Sequence, residues 1–156
     1  GECVMHEYWN NPEETAKMLR NGWLYTGDIG RIDEEGFLII CDRKKDLIIT
    51  GGFNVFPSEL EAAAITAENV ADAIAIGVPN ERRGEVPAIF VQPIAGKTVD
   101  LNEVERVCRE KLSRFKVPKE YYIMDMLPKT KNRKPDRKMV KKLYLEHAFD
   151  DQKKEQ

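Results

Sequence analysis

Two apolar runs constrain this chain more than anything else in it. ADAIAIGV, residues 71–78, alternates and then becomes continuously apolar, and Pro87 to Ile94 follows it across the polar connection NERRGE. Short apolar runs rich in branched side chains and bounded by turn residues have the character of buried strands. The two are expected to pair antiparallel. Helices surround them in sequence. Leu101, Val104, Val107, Cys108 and Leu112 recur at helical spacing behind Asp100-x-x-Glu103, and Leu60, Ala63 and Ala64 share one face behind Ser58-x-x-Glu61, the spacing of a capping box. Leu47–Ile49 is a short strand ended by Gly51-Gly52, and Tyr121 to Met124 is a further core strand beyond Pro118. Residues 47–125 therefore read strand, helix, strand, strand, helix, strand. That order predicts an α+β fold, a small mixed sheet flanked by helices. A short helix around Val140–Leu145 follows, and the polar end DDQKKEQ is expected to fray.

The first 42 residues do not build a core of their own. NPEETAKMLRNG reads as a helix capped by Asn11, with Pro12 in its first turn and Gly22 at its end. Ile29–Ile32 and Phe37–Cys41 read as a hairpin turning through Asp33-Glu34-Glu35-Gly36. A lone hairpin is marginal in water, so this stretch is expected to be the edge of something larger. The chain opens at Gly1, which fits a cut rather than a native start.

Composition excludes several classes of function. Twenty-five basic side chains against 27 acidic ones leave a net charge of −2, which does not favour a polyanionic partner. No apolar run reaches the ~20 residues that span a bilayer, and no signal-peptide pattern opens the chain. Cys3, Cys41 and Cys108 are odd in number and far apart, with neither a disulfide framework nor a metal spacing, so a reducing cytoplasmic setting is expected and no metal site. His6 and His147 are lone histidines. Against this near-neutral background, LPKTKNRKPDRK (127–138) gathers six Lys or Arg in twelve residues. A nucleic-acid patch, a solvated loop and a loop delivering a functional lysine are all open to it. No reading helix or aromatic platform accompanies it, which ranks nucleic acid last.

Singly, TGD (26–28), DRKKD (42–46) and GGFNVFP (51–57) are ordinary turn, connector and loop. In this order, with IGVPNERRGE, KLSRFKVPK and LPKTKNRKPDRK behind them, they resemble the C-terminal part of the adenylate-forming enzymes, with a close match to the AMP-forming medium- and long-chain fatty acyl-CoA ligases. The resemblance covers essentially the whole chain. It implies that residues 1–42 close a large AMP-binding domain, 43–46 form a hinge, 47–147 are a mobile lid and 148–156 a polar tail. It implies an enzyme in the intact protein: ATP, a fatty acid and CoA become acyl-CoA, AMP and pyrophosphate through an acyl-adenylate, with domain alternation between the two steps.

The resemblance also distributes roles. Asp28 and Arg43 are expected to hold the ribose of ATP, a carboxylate being able to accept from both hydroxyls of a diol. Lys45 is the expected pivot, Gly51 and Gly52 lie where the CoA arm passes the backbone, and Lys134 is the catalytic lysine, with Lys129 and Lys131 as fallbacks. Pro57, Glu59 and Glu61 match the family pattern but are expected only to fix the helix start. Arg133 stands where the family usually has Gly, and Pro135 where Ile or Val is common. Partners are the large domain, ATP, CoA and the fatty acid, with Mg2+ held mainly by the large domain. Neither the Gly-rich phosphate loop nor the acyl tunnel of the large domain is present, so the 156 residues alone are expected to be inactive. The alternative is a standalone lid acting as a non-catalytic binding or regulatory module.

Overall fold

The computed structural model describes residues 1–152. The chain divides into two compact units, Gly1–Lys45 and a second beginning at Asp46.

In the first unit, α1 (Pro12–Met18) starts as expected: the Asn11 side chain accepts from the Glu14 N–H and Pro12 sits in the first turn. It stops four residues before Gly22, however. Leu19–Arg20 (β1) and Trp23–Leu24 (β2) pair instead, and Asn21-Gly22 is their turn. Both turn residues have positive φ, 54° and 79°, the requirement of the two-residue hairpin turn that Asn-Gly satisfies. Asp28–Ile32 (β3) and Leu38–Arg43 (β4) form the expected hairpin, with a bulge where Ile29 and Gly30 oppose Asp42 and Ile40. The Asp33 carboxylate closes its turn by accepting from the Glu35 and Phe37 N–H groups. No residue of this unit is buried.

The second unit is the α+β body. Ile48–Thr50 (β5) turns through Gly51-Gly52 into Phe53–Val55 (β6), a strand where the sequence predicts a loop. Pro57–Ala64 (α2) follows, then Val70–Asn80 (β7), Gly84–Pro93 (β8), Leu101–Lys111 (α3), Glu120–Ile123 (β9) and Arg137–Leu145 (α4). β7 and β8 pair antiparallel over their length, β9 runs parallel to β8, and β5 joins β8 at Thr50–Gly84. The resulting five-stranded sheet is mixed.

The apolar runs are continuous because β7 and β8 are covered on both faces. Ala73, Ala75, Ile89 and Val91 point to one core with Leu60, Ala63, Val104, Val107 and Cys108 of α2 and α3. Ile74, Ile76, Val78, Ala88 and Phe90 point to the other, with Tyr122 and Val140. Phe149 completes that second core, lying edge-on to Phe90 with ring centroids 5.0 Å apart.

Two expectations are corrected here. Ser58 is not the N-cap of α2: the N-cap is Phe56, two residues earlier, and it contributes no side-chain hydrogen bond. The expected polar tail is docked at least through Gln152, because Phe149 is apolar and sinks into the core. The Gln152 amide accepts from the Ile123 N–H (2.8 Å) and donates to its carbonyl (3.1 Å), as a neighbouring strand would. Residues 153–156 of that tail lie outside the described residues.

Candidate functional site

Asp28 and Arg43 are brought together by the β3–β4 register, which places them opposite each other. The Arg43 Nε donates to Asp28 Oδ1 at 2.9 Å, with about half of the guanidinium side chain still exposed. The Thr26 hydroxyl accepts from the Asp28 N–H at 3.1 Å, and the Lys44 N–H bonds the Gly27 carbonyl at 2.8 Å. A carboxylate held from one side by a guanidinium keeps its other lone pairs for a ligand. Lys45 lies in a short 3-10 turn, Lys44–Asp46, and the division between the two units falls immediately after it.

Gly51 and Gly52 form the tip of the β5–β6 hairpin with φ of 56° and 85°. Space around both is open: a Cβ at either would meet no atom within 4 Å. The Gly51 N–H is spent on the Arg83 carbonyl at 3.1 Å. This backbone is accessible to an approaching ligand and rigid at its base.

The basic stretch becomes a loop with an ordered base. Lys129 and Pro135 face each other as an isolated antiparallel bridge. Inside it, the Thr130 N–H donates to the Lys134 carbonyl and the Arg133 N–H to the Thr130 carbonyl, both at 2.8 Å. Arg133 has φ of 58°. That is the hydrogen bonding of a three-residue hairpin loop whose last residue is left-handed, a position that suits glycine. Arg133 thus adopts the backbone that glycine would take at far lower cost. Lys134 follows at the exit of the loop. Its side chain is exposed and its ammonium has no ion-pair partner among the described residues.

The fallback candidates separate from it. Lys129 is occupied by Asp72, 3.0 Å away, while Lys131 is exposed. Glu59 and Glu61 both reach partners outside α2. Glu59 pairs with Lys116 at 2.6 Å, and Glu61 takes Arg137 at 2.6 and 2.8 Å and also accepts from the Ala75 N–H at 2.9 Å. Sequence reasoning missed the two ion pairs because partners 57 and 76 residues apart carry no periodic signal. Among the described residues, no group of three or more His, Cys, Asp or Glu could hold a metal ion, and no helix is long and apolar enough to cross a membrane.

Residues 59–134 match the profile of the AMP-binding enzyme C-terminal domain. A long-chain-fatty-acid–CoA ligase of Bacillus subtilis (strain 168) is 48% identical over 130 residues, covering 83% of this chain and 23% of the relative. A 2-succinylbenzoate–CoA ligase of Geobacillus sp. (strain WCH70) is 43% identical over 143 residues, covering 92% of this chain and 29% of the relative. Among solved structures, o-succinylbenzoate CoA synthetase from Bacillus subtilis, in complex with an acyl-adenylate intermediate, superposes with a TM-score of 0.84 at 36% identity over 90% of this chain and 29% of that one. The chain therefore spans between a fifth and a third of the length of the proteins it matches.

Proposed function

Because this chain belongs to the AMP-binding enzyme C-terminal domain family of the adenylate-forming enzymes, we propose that it supplies the lid of an AMP-forming acyl-CoA ligase and that its acyl substrate is a fatty acid. One observation carries the reading: Lys134, exposed and without an ion-pair partner among the described residues, is presented at the exit of a loop whose base is bonded into the body of the domain.

The chemistry follows from charge. A fatty carboxylate attacks the α-phosphorus of ATP, a P–O bond forms, and the bond to pyrophosphate breaks. Two anions must approach, and negative charge grows on the phosphate oxygens. The Lys134 ammonium, bridging carboxylate and α-phosphate, offsets both effects, and its long flexible stem lets it be delivered and withdrawn. Asp28 accepts from the ribose hydroxyls while Arg43 orients it. In the second step the CoA thiol attacks the acyl carbonyl, loses its proton, and AMP leaves. Gly51 and Gly52 then give the CoA arm a path along bare backbone. Lys45, at the division between the two units, is the pivot between the steps. The hairpin of residues 28–43, with Phe37, Leu38 and Ile40 exposed, belongs to the large domain, and Mg2+ enters with ATP on that domain. Three free cysteines suit a reducing cytoplasm. The fatty-acid assignment leans on the resemblance of the motifs and on the ligase at 48% identity.

The test is ATP-dependent pyrophosphate release by the full-length protein with medium- and long-chain fatty acids and with 2-succinylbenzoate. Fatty acids should support turnover, and Lys134→Ala should lower acyl-adenylate formation by about 100- to 1,000-fold. Turnover of 2-succinylbenzoate alone would remove the fatty-acid assignment.

A further inference from the structure

The strongest feature outside the residues already assigned is the way the Lys134 loop is anchored. Its entry is held at Leu127, a buried residue whose N–H donates to the Gln92 amide at 2.8 Å. Two residues on, Lys129 reaches Asp72 at 3.0 Å. Its exit closes where the Asp136 N–H meets the Pro128 carbonyl at 2.9 Å, and Arg137 then inserts against Glu61. Asp72 and Ala75 both belong to β7, and Glu61 accepts from the Ala75 N–H at 2.9 Å. Asp72 of β7, and Glu61 of α2 tied to that strand through the Ala75 N–H, therefore hold the two feet of one loop.

The two feet are unequal. Lys129 and Asp72 are 48% and 30% exposed, so water screens them and the pair holds weakly. Arg137 and Glu61 are only 21% and 13% exposed, one guanidinium nitrogen serves both carboxylate oxygens, and the carboxylate is itself fixed to backbone. Breaking a pair this far from water strands a charge. Arg137 lies three residues beyond Lys134, so a freed Arg137 allows the ammonium to wander by ångströms.

We infer that Glu61 and Arg137 are positioning residues for adenylation: they clamp the exit of the basic loop to α2 and β7 so that Lys134 arrives in one place. The inference rests on the reading of Lys134 given above. On this inference neither side chain needs to touch substrate. Their contribution is geometric, and a misplacement of about 1 Å can cost about 100-fold in rate.

The experiment uses the full-length enzyme and measures each half-reaction separately: acyl-adenylate formation from ATP and fatty acid, and thioester formation from supplied acyl-adenylate and CoA. Glu61→Gln keeps the shape and keeps an oxygen for the Ala75 N–H but loses the charge that holds Arg137. It should lower kcat for adenylation by about 100-fold, with the KM for ATP and the thioester step near wild type. Arg137→Lys, which keeps charge without the guanidinium fork, should fall between wild type and Arg137→Met. Lys134→Ala combined with Glu61→Gln should be no slower in adenylation than Lys134→Ala alone, because the clamp has nothing left to position. Equal losses in both half-reactions, or a multiplicative loss in the double variant, would overturn the inference. So would an unaffected Glu61→Gln beside a dead Lys134→Ala. A Lys134→Ala enzyme that still forms acyl-adenylate at the wild-type rate would remove the lysine assignment first and this inference with it.

Discussion

Arg133 shows how one residue can carry a local conflict between sequence and geometry. The loop requires a left-handed residue there, and an L-residue with a Cβ adopts that backbone at a cost of roughly 1–2 kcal/mol. The Arg133 N–H to Thr130 bond and the bridge beneath it hold the conformation in place. Arg133→Gly removes the strain but adds freedom to the unfolded chain, so the net gain should be about 0.5–1 kcal/mol. Urea unfolding checks it: the midpoint should move up with an unchanged slope. A variant that unfolds earlier would mean that the loop does not hold the left-handed turn in solution. The resemblance of the motif singles out Lys134 as the proposed catalytic lysine. What the sequence did not reveal was that Arg133 takes the left-handed backbone that glycine favours.

At the scale of elements, the strands and helices of the body were legible because each carries a complete local signal. β7 and β8 have continuous apolar runs, and α3 has Val104, Val107 and Cys108 at helical spacing behind Asp100, whose carboxylate accepts from the Asn102 N–H at 2.9 Å. The hairpins at Asn21-Gly22 and Gly51-Gly52 were hidden because strands of two and three residues are too short for periodicity to register. The Ser58-x-x-Glu61 spacing puts the N-cap two residues late, and it carries no sign of the pair Glu61 makes with Arg137, 76 residues away. The buried face of α3 gives a pH prediction. Burial, and then the charge of Glu105, push the Cys108 thiol up to about 11. The thiol of the unfolded chain ionises near its ordinary value of 9, so the folded state retains a proton that the unfolded state loses. Stability from the neutral thiol is complete below about pH 9 and disappears between about pH 9 and 11, on the order of 2–3 kcal/mol in all. Burial and a bond to Glu120 also push Tyr144 up, to about 12, but that contribution is common to wild type and Cys108→Ala. Under reductant, the gap in unfolding free energy between those two proteins should therefore narrow as pH rises through this window. A constant gap would show that the thiol does not titrate with unfolding.

The whole molecule is two units of different physical character. The body has two apolar cores, one on each face of its sheet, closed by α2 and α3 on one side and by α4 and Phe149 on the other. Gly1–Lys45 has two hairpins and a short helix, no buried residue, and Trp9, Trp23, Ile32, Phe37, Leu38 and Ile40 exposed. Hydrophobic burial drives folding, so the two stretches should differ in whether they fold alone. Residues 46–156 produced by themselves should unfold cooperatively at a midpoint within a few degrees of the 156-residue chain, since neither core takes a residue from the first unit. Residues 1–45 should show no cooperative transition, because two-stranded hairpins without a buried face are marginal in water. Scanning calorimetry of the three polypeptides separates the possibilities. A body that loses its transition without residues 1–45 would mean that the first unit stabilises it in a way the two cores do not account for. A body that keeps it fits the reading proposed above, in which the exposed Phe37, Leu38 and Ile40 of the hairpin of residues 28–43 are covered by a larger domain.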